Sequence, residues 1–290
     1  MINDLPLRGL FIDWDKIEEG SYLRRIPALA GVGELTFRNP VTFFVGENGS
    51  GKSTLLEAIA VAAGFNPEGG TRNYSFSTYD SHSELCGALR LSRGIRRASH
   101  GYFLRAESFY NVATKEEEYS RGPGGKPQHF HERSHGESFL ALAQNSFRGG
   151  GLYLLDEPEA ALSPQRQLTL MLEIHRCVQE KAQFLIVTHS PILLGLPGAE
   201  IFSSPVLGRF YAELLRRIQN GERISLGVLA GQFTPEEMSH FTTVLNGTED
   251  LANAEQAMAD YIGIIAGRKD PEEDLLALAE KYKKTKSFGG

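Results

Sequence analysis

The stretch TFFVGENGSGKSTLLEAIAVAA, residues 42–63, decides the reading of this chain. A short apolar strand, Val41 to Val45, runs into the glycine-rich GENGSGKST of residues 46–54, and an apolar-periodic helix follows from about Lys52. Strand, loop and helix in that order are what a phosphate-binding loop requires. Gly46, Gly49 and Gly51 are expected to take positive φ and let backbone N–H groups curl around phosphate oxygens. Glu47, Asn48, Ser50 and Thr54 complete the expected nucleotide contacts. Lys52 then reaches the β- and γ-phosphates and Ser53 a magnesium ion.

Two more apolar runs end in polar residues of the kind such a site needs. In GLYLLDEPEAAL, residues 151–162, Leu152 to Leu155 lead to the carboxylate pair Asp156 and Glu157. Ligands of open α/β sheets sit at the C-terminal ends of strands. Asp156 is therefore assigned to the metal, and Glu157 to orienting and deprotonating a water for attack on the γ-phosphate. In AQFLIVTHSP, residues 182–191, four apolar residues precede Thr188, His189 and Ser190. His189, a catalytic candidate, is placed to sense the γ-phosphate, because a phosphate loop and an acidic strand end lie upstream of it.

A third feature is RSHGESF, residues 133–139, where a Gly stands between a His and a Glu just before an apolar run. A helix beginning there exposes unpaired N–H groups and the positive end of its dipole, which together suit an anion.

Bulk properties set the class. The 290 residues are 41% hydrophobic and 23% charged, enough for a full core in one large or two modest domains. Cys86 and Cys177 form no spacing pattern, so neither a disulfide framework nor a cysteine-based zinc site is expected, and a reducing cytoplasm fits best. No apolar run approaches the roughly 20 residues that span a bilayer, and MINDLPLRGL lacks a signal-peptide layout. Membrane insertion is not expected. The net charge of −6 argues against a generally basic nucleic-acid surface. Within LRLSRGIRRASHGYFLR, however, Arg90, Arg93, Arg96, Arg97 and Arg105 gather; they read as a solvated face, with phosphate contact as the alternative. His129, His131 and His135 lie in a polar loop with no acidic or thiol partner at fixed spacing, so zinc is not expected.

With those motifs in place, residues 1–204 resemble the ATP-binding-cassette ATPases, and more closely the soluble branch holding the RecF, SMC-like and OLD-type proteins. GENGSGKST matches Walker A, LYLLDEPEAALS matches Walker B and the D-loop, and THSP matches the H-loop. The runs RAESF, SHGESF and DEPEAALSPQRQ together resemble a set of predicted bacterial AAA-family ATPases. The resemblance implies an α/β P-loop NTPase with a mixed sheet flanked by helices, using ATP and Mg²⁺. It also gives Ser134, His135, Gly136 and Glu137 the place of the signature, which meets the γ-phosphate of ATP bound to a second subunit. Ser134 and Gly136 match that signature; His135 and Glu137 depart from it. Two ATP molecules sandwiched in a head-to-tail homodimer follow from the resemblance. Glu107 stands at the Q-loop position, where Gln would contact magnesium or water, and Ser163 replaces the usual D-loop Asp. Tyr22 is a candidate neighbour of the adenine.

GLFIDWDKI and GELTFRNP alternate like strands and are expected to form the antiparallel part of the ATPase sheet. No heptad pattern follows the phosphate-loop helix, so the long arm of SMC proteins is absent. Residues 113–137 read as a charged, Gly- and Pro-rich loop that either orders over nucleotide or stays a flexible surface. A small all-helical region is expected over 205–290, with starts at Thr234–Pro235 and Asp270–Pro271 and an apolar stripe in PVLGRFYAELLRRI. Its segments NAEQAMADYIGII and LLALAEKYKKTKSFGG resemble the helicase-interaction region of bacterial primases. The expected activity is ATP binding and hydrolysis driving dimerisation, in DNA maintenance or phage defence, with DNA or another protein as partner. The alternatives are the nucleotide-binding subunit of a transporter, or a helicase-interaction module with a vestigial ATPase.

Overall fold

Four apolar strands buried on both faces organise the chain. In the computed structural model, the described residues are 4–26, 28–29, 32–46, 49–71, 84–106, 109, 135–196 and 198–203. Glu47, Asn48, Glu107, Ser134, the side chain of His135, almost all of the 113–137 loop, and the helical region expected over 205–290 lie outside them.

Nine strands are found among the described residues: β1 (Leu7–Ile12), β2 (Glu34–Thr36), β3 (Val41–Phe44), β4 (Gly70–Thr71), β5 (Leu89–Arg93), β6 (Gly101–Arg105), β7 (Leu152–Asp156), β8 (Gln183–Val187) and β9 (Glu200–Phe202). The larger sheet has the order β4-β6-β7-β8-β3-β9. Within it β6, β7, β8, β3 and β9 are parallel, and β4 runs antiparallel at the edge. Parallel strands covered on both sides read as unbroken apolar runs, which is how LYLL and FLIV read in the sequence.

The side chains alternate between two cores. Phe43, Tyr102, Leu104, Tyr153, Leu155, Phe184 and Ile186 enter one, against α3 (His135–Ser146), α4 (Pro164–Gln179) and α5 (Pro191–Leu194). Phe44, Phe103, Leu154, Leu185 and Val187 enter the other, under α1 (Lys52–Ala63) and α2 (Glu84–Ala88). Helix α1 follows the phosphate loop without a break and stops at Gly64, whose φ of 93° is the left-handed closure that glycine permits.

The amino-terminal strands differ from expectation. β1 and β2 are antiparallel, but they join β5 in a separate three-stranded sheet, ordered β2-β1-β5, rather than the ATPase sheet. One side chain ties the two sheets together. Gln183, fully buried at the start of β8, accepts from the Leu7 N–H and donates to the Leu7 C=O, both at 2.8 Å. The amide thus replaces a backbone partner that β1 lacks there. Strand β9 is fixed similarly: Glu200 Oε1 accepts from the N–H groups of Arg38 and Asn39 and from the Thr42 hydroxyl, at 2.8 to 3.1 Å.

Replacing Gln183 with Leu keeps the bulk but leaves the Leu7 N–H and C=O buried without partners. A stability loss of about 2 kcal/mol or more is expected in chemical denaturation; a loss under about 0.5 kcal/mol would mean that the sheets hold together without this amide.

Candidate functional site

The strand order brings three chain segments to one sheet edge. β8 lies between β3 and β7, so the residues after β3, β7 and β8 share the C-terminal edge. The turn after β7 is anchored there by the Glu157 N–H donating to the Val187 C=O at 2.9 Å.

The phosphate loop takes its shape from contacts on both sides. Gly49 and Gly51 have φ of 74° and 91°, as expected, whereas Gly46 does not have positive φ. A Cβ at Gly46 would crowd the Ser50 side chain, lying 3.0 Å from its Oγ. Gly51 needs both positive φ and space, since a Cβ would also collide with the Ile26 side chain. The segment around Ile26 covers the loop, and the Ala28 N–H donates to the Ser50 C=O at 2.9 Å. Tyr22, four residues before Ile26, is 60% exposed on the short helical turn Tyr22–Arg25.

Lys52 is buried, with Nζ 3.4 Å from Ser50 Oγ. Ser53, one residue on, donates to Asp156 Oδ1 at 2.8 Å across 103 residues of sequence. A hydroxyl and a carboxylate oxygen converging beside a phosphate loop form a hard-oxygen donor set of the kind magnesium takes, so these residues fit that ion. Thr54 is half-buried in the first turn of α1.

Glu157 has φ of 49° and ψ of 51°, a left-handed conformation uncommon for a residue with a side chain. Its carboxylate faces His189, with Oε1 3.5 Å from Nε2. The His189 ring is the main cause that holds the Glu157 carboxyl below its ordinary range; burial opposes the shift and Lys52 adds to it. The structure thus brings together Ser53, Asp156, Glu157 and His189.

Gly136 and Glu137 open α3 close to the turn that follows β7. A Cβ on Gly136 would collide with the Ala161 C=O and lie 2.7 Å from Arg166 Nη1, and Glu137 pairs with Arg166 at 2.7 Å. The glycine between His135 and Glu137 is therefore demanded by packing within this chain.

Two site residues escaped the sequence reading. Glu159, in the helical turn Pro158–Ala161, is half-buried with its carboxylate turned inward, and its Oε1 accepts the backbone N–H groups of His189 and Ser190. Ser190 in turn donates to Gln167 of α4 and accepts from the Ile192 and Leu193 N–H groups at the start of α5. The other is Arg105, at the end of β6, 3.6 Å from Asp156 and 2.8 Å from Glu57. It does not belong to the arginine cluster of residues 90–97. There, Arg90 pairs with Asp13, Arg93 donates to the Ala62 C=O, and Arg96 engages Asp4 and the Lys181 C=O.

A parallel-rich sheet flanked by helices, with a phosphate loop after one strand and carboxylates after another, defines a P-loop NTPase fold. Residues 29–109 match the family model described as "AAA domain", and residues 123–195 the one described as "AAA domain, putative AbiEii toxin, Type IV TA system". The two matches support an AAA-family ATPase, and such domains imply nucleotide binding and hydrolysis. No curated protein and no solved structure matches the chain. Among the described residues no helix is long and apolar enough to cross a membrane.

Burial pushes the Glu159 carboxyl above its ordinary value of 4.5. The folded state then holds this proton more tightly than the unfolded state, so the group costs stability as pH rises above 4.5. Glu159→Gln keeps an acceptor for the His189 and Ser190 N–H groups and cannot ionise. Its stability relative to the native chain is expected to improve as pH rises from 4.5 in a denaturation series; a difference independent of pH would contradict this. Glu159→Ala, which removes the acceptor, is expected to cost about 1–3 kcal/mol.

Proposed function

We propose that the protein is a magnesium-dependent ATP hydrolase working as a nucleotide-driven dimerisation switch, with its ATPase head in residues 1–204 and a helical region over 205–290. The observation that carries this reading is the 2.8 Å contact between Ser53 of the phosphate loop and Asp156 at the end of β7, with Glu157 next to it. In this reading Gly46 to Thr54 cradle the phosphates and Lys52 neutralises the β- and γ-oxygens. Ser53 and Asp156 hold magnesium, with Glu107 as a further candidate; the ion supplies charge neutralisation at the phosphates.

Glu157 accepts the proton of the attacking water. Its depressed pKa keeps it ionised at neutral pH, and its 43% side-chain exposure leaves it open to solvent. His189 faces the same carboxylate and senses the γ-phosphate. Ser134, His135, Gly136 and Glu137 at the start of α3 meet the nucleotide of a second copy, a role supported by the resemblance to cassette ATPases. Because α3 opens against the turn that follows Glu157, closure of the two copies would be felt at the attacking water.

The proposed setting is DNA maintenance or phage defence. It is supported by the resemblance to the soluble branch and by the toxin-system wording of the family description for residues 123–195. The internal engagement of Arg90, Arg93 and Arg96 takes support from that strip as a nucleic-acid contact.

Glu157→Gln is expected to keep magnesium-ATP binding and to lower turnover by a factor on the order of 10² to 10⁴. Light scattering coupled to size-exclusion chromatography should show it as a dimer with magnesium-ATP and a monomer without. A variant that hydrolyses ATP at the native rate would remove Glu157 from the chemistry. One that stays monomeric with ATP bound would remove the switch.

A further inference from the structure

Arg105 sits where a cation is unexpected, beside the carboxylate assigned to a metal. Its backbone pairs with that of Asp156 in the β6-β7 ladder. Its side chain crosses to the phosphate-loop helix, where Nη1 donates to Glu57 Oε2 at 2.8 Å. Along the way, Nε passes 3.6 Å from Asp156 Oδ2. The other carboxylate oxygen, Oδ1, accepts from the Ser53 hydroxyl at 2.8 Å. The two oxygens of Asp156 therefore face different partners, one toward the guanidinium and the other toward the phosphate loop. Glu57 lies one helical turn beyond Ser53 on α1, so the guanidinium is anchored to the helix that presents the hydroxyl.

Both ends of this arrangement are sheltered. The side chains of Arg105, Glu57 and Asp156 are 22%, 20% and 8% exposed, a setting in which ion pairs are screened less than at the surface. The planar guanidinium is anchored to Glu57 by a hydrogen bond and faces Asp156 by charge alone, so its orientation is set from the Glu57 end.

The consequence concerns which ion the site accepts. Magnesium takes near-ideal octahedral geometry with few protein oxygens, whereas calcium takes six to eight oxygens and readily uses both atoms of one carboxylate. A carboxylate whose second oxygen is ion-paired with a guanidinium at 3.6 Å, attracted by charge without a hydrogen bond, is poorly disposed to turn both oxygens toward another cation. We infer that Arg105 is a positioning residue that restricts Asp156 to one oxygen toward a divalent ion and thereby biases the phosphate site toward magnesium over calcium. The inference rests on the magnesium-ATP reading of the site and adds a selectivity device to it.

The test is competition between ions on the full-length chain. Mn²⁺ bound with a non-hydrolysable ATP analogue is followed by electron paramagnetic resonance, and its displacement by Mg²⁺ and by Ca²⁺ is titrated separately. Removing the arginine's charge changes the attraction for both competing dications alike, so the ratio of the two displacement constants isolates the geometry. In Arg105→Gln the ratio is expected to move toward calcium by a factor on the order of 10, the size of effect found for groups that orient metal ligands. Glu57→Gln frees the far end of the guanidinium and is expected to move the ratio in the same direction by less; it stands in if Arg105→Gln does not fold. An unchanged ratio in a variant that still binds Mn²⁺ would overturn the role of Arg105 alone. Failure of the native chain to bind Mn²⁺ with the nucleotide would overturn it together with the phosphate-site reading.

Discussion

The hydrogen bond from Ser53 to Asp156 ties together the two halves of the sequence on which the site depends. It forms because β8 is interposed between β3 and β7, setting the starts of two unrelated turns side by side at one edge. The residues around it serve that meeting. Gly51 lets α1 begin under Ile26, Glu57 and Arg105 brace the helix against β6, and the Glu157 N–H fastens the acidic turn to β8. The apolar cores lie on the two faces of the sheet, and the polar residues of the site gather at its C-terminal edge.

Much of this was legible from sequence where chemistry and secondary structure coincide within a few residues. The loop from Gly46 to Thr54, the carboxylates after LYLL and the polar switch after FLIV each announce themselves locally. Gly136 was legible as an exception but not for its reason, because the Ala161 carbonyl that excludes a side chain comes 25 residues later and only packing reveals it. Glu159 read as part of a D-loop motif, and nothing local says that its carboxylate will be buried beneath the His189 backbone. Arg105 was grouped with its neighbours in sequence. The five-residue strand β6 instead carries it away from them to the site edge, and alternation alone cannot show which end of a strand faces a ligand.

The amino-terminal strands illustrate a different limit. Alternating patterns in GLFIDWDKI and GELTFRNP identify strands but not the sheet they join, since pairing partners depend on hydrogen bonds between distant segments. β5 supplied the partner, and its sequence LRLSR carries too much charge to stand out as a strand. The turn holding Glu157 shows the converse: a left-handed residue other than glycine marks strain that no residue pattern encodes.

Strand β8 is fastened by side-chain hydrogen bonds at both ends. At its start Gln183 holds β1, and past its end the His189 and Ser190 N–H groups are held by Glu159. Five extended residues make a stiff rod about 17 Å long. The same strand therefore spans the sheet, from the turn that carries His189 at one edge to the small three-stranded sheet at the other, with a side-chain hydrogen bond at each end.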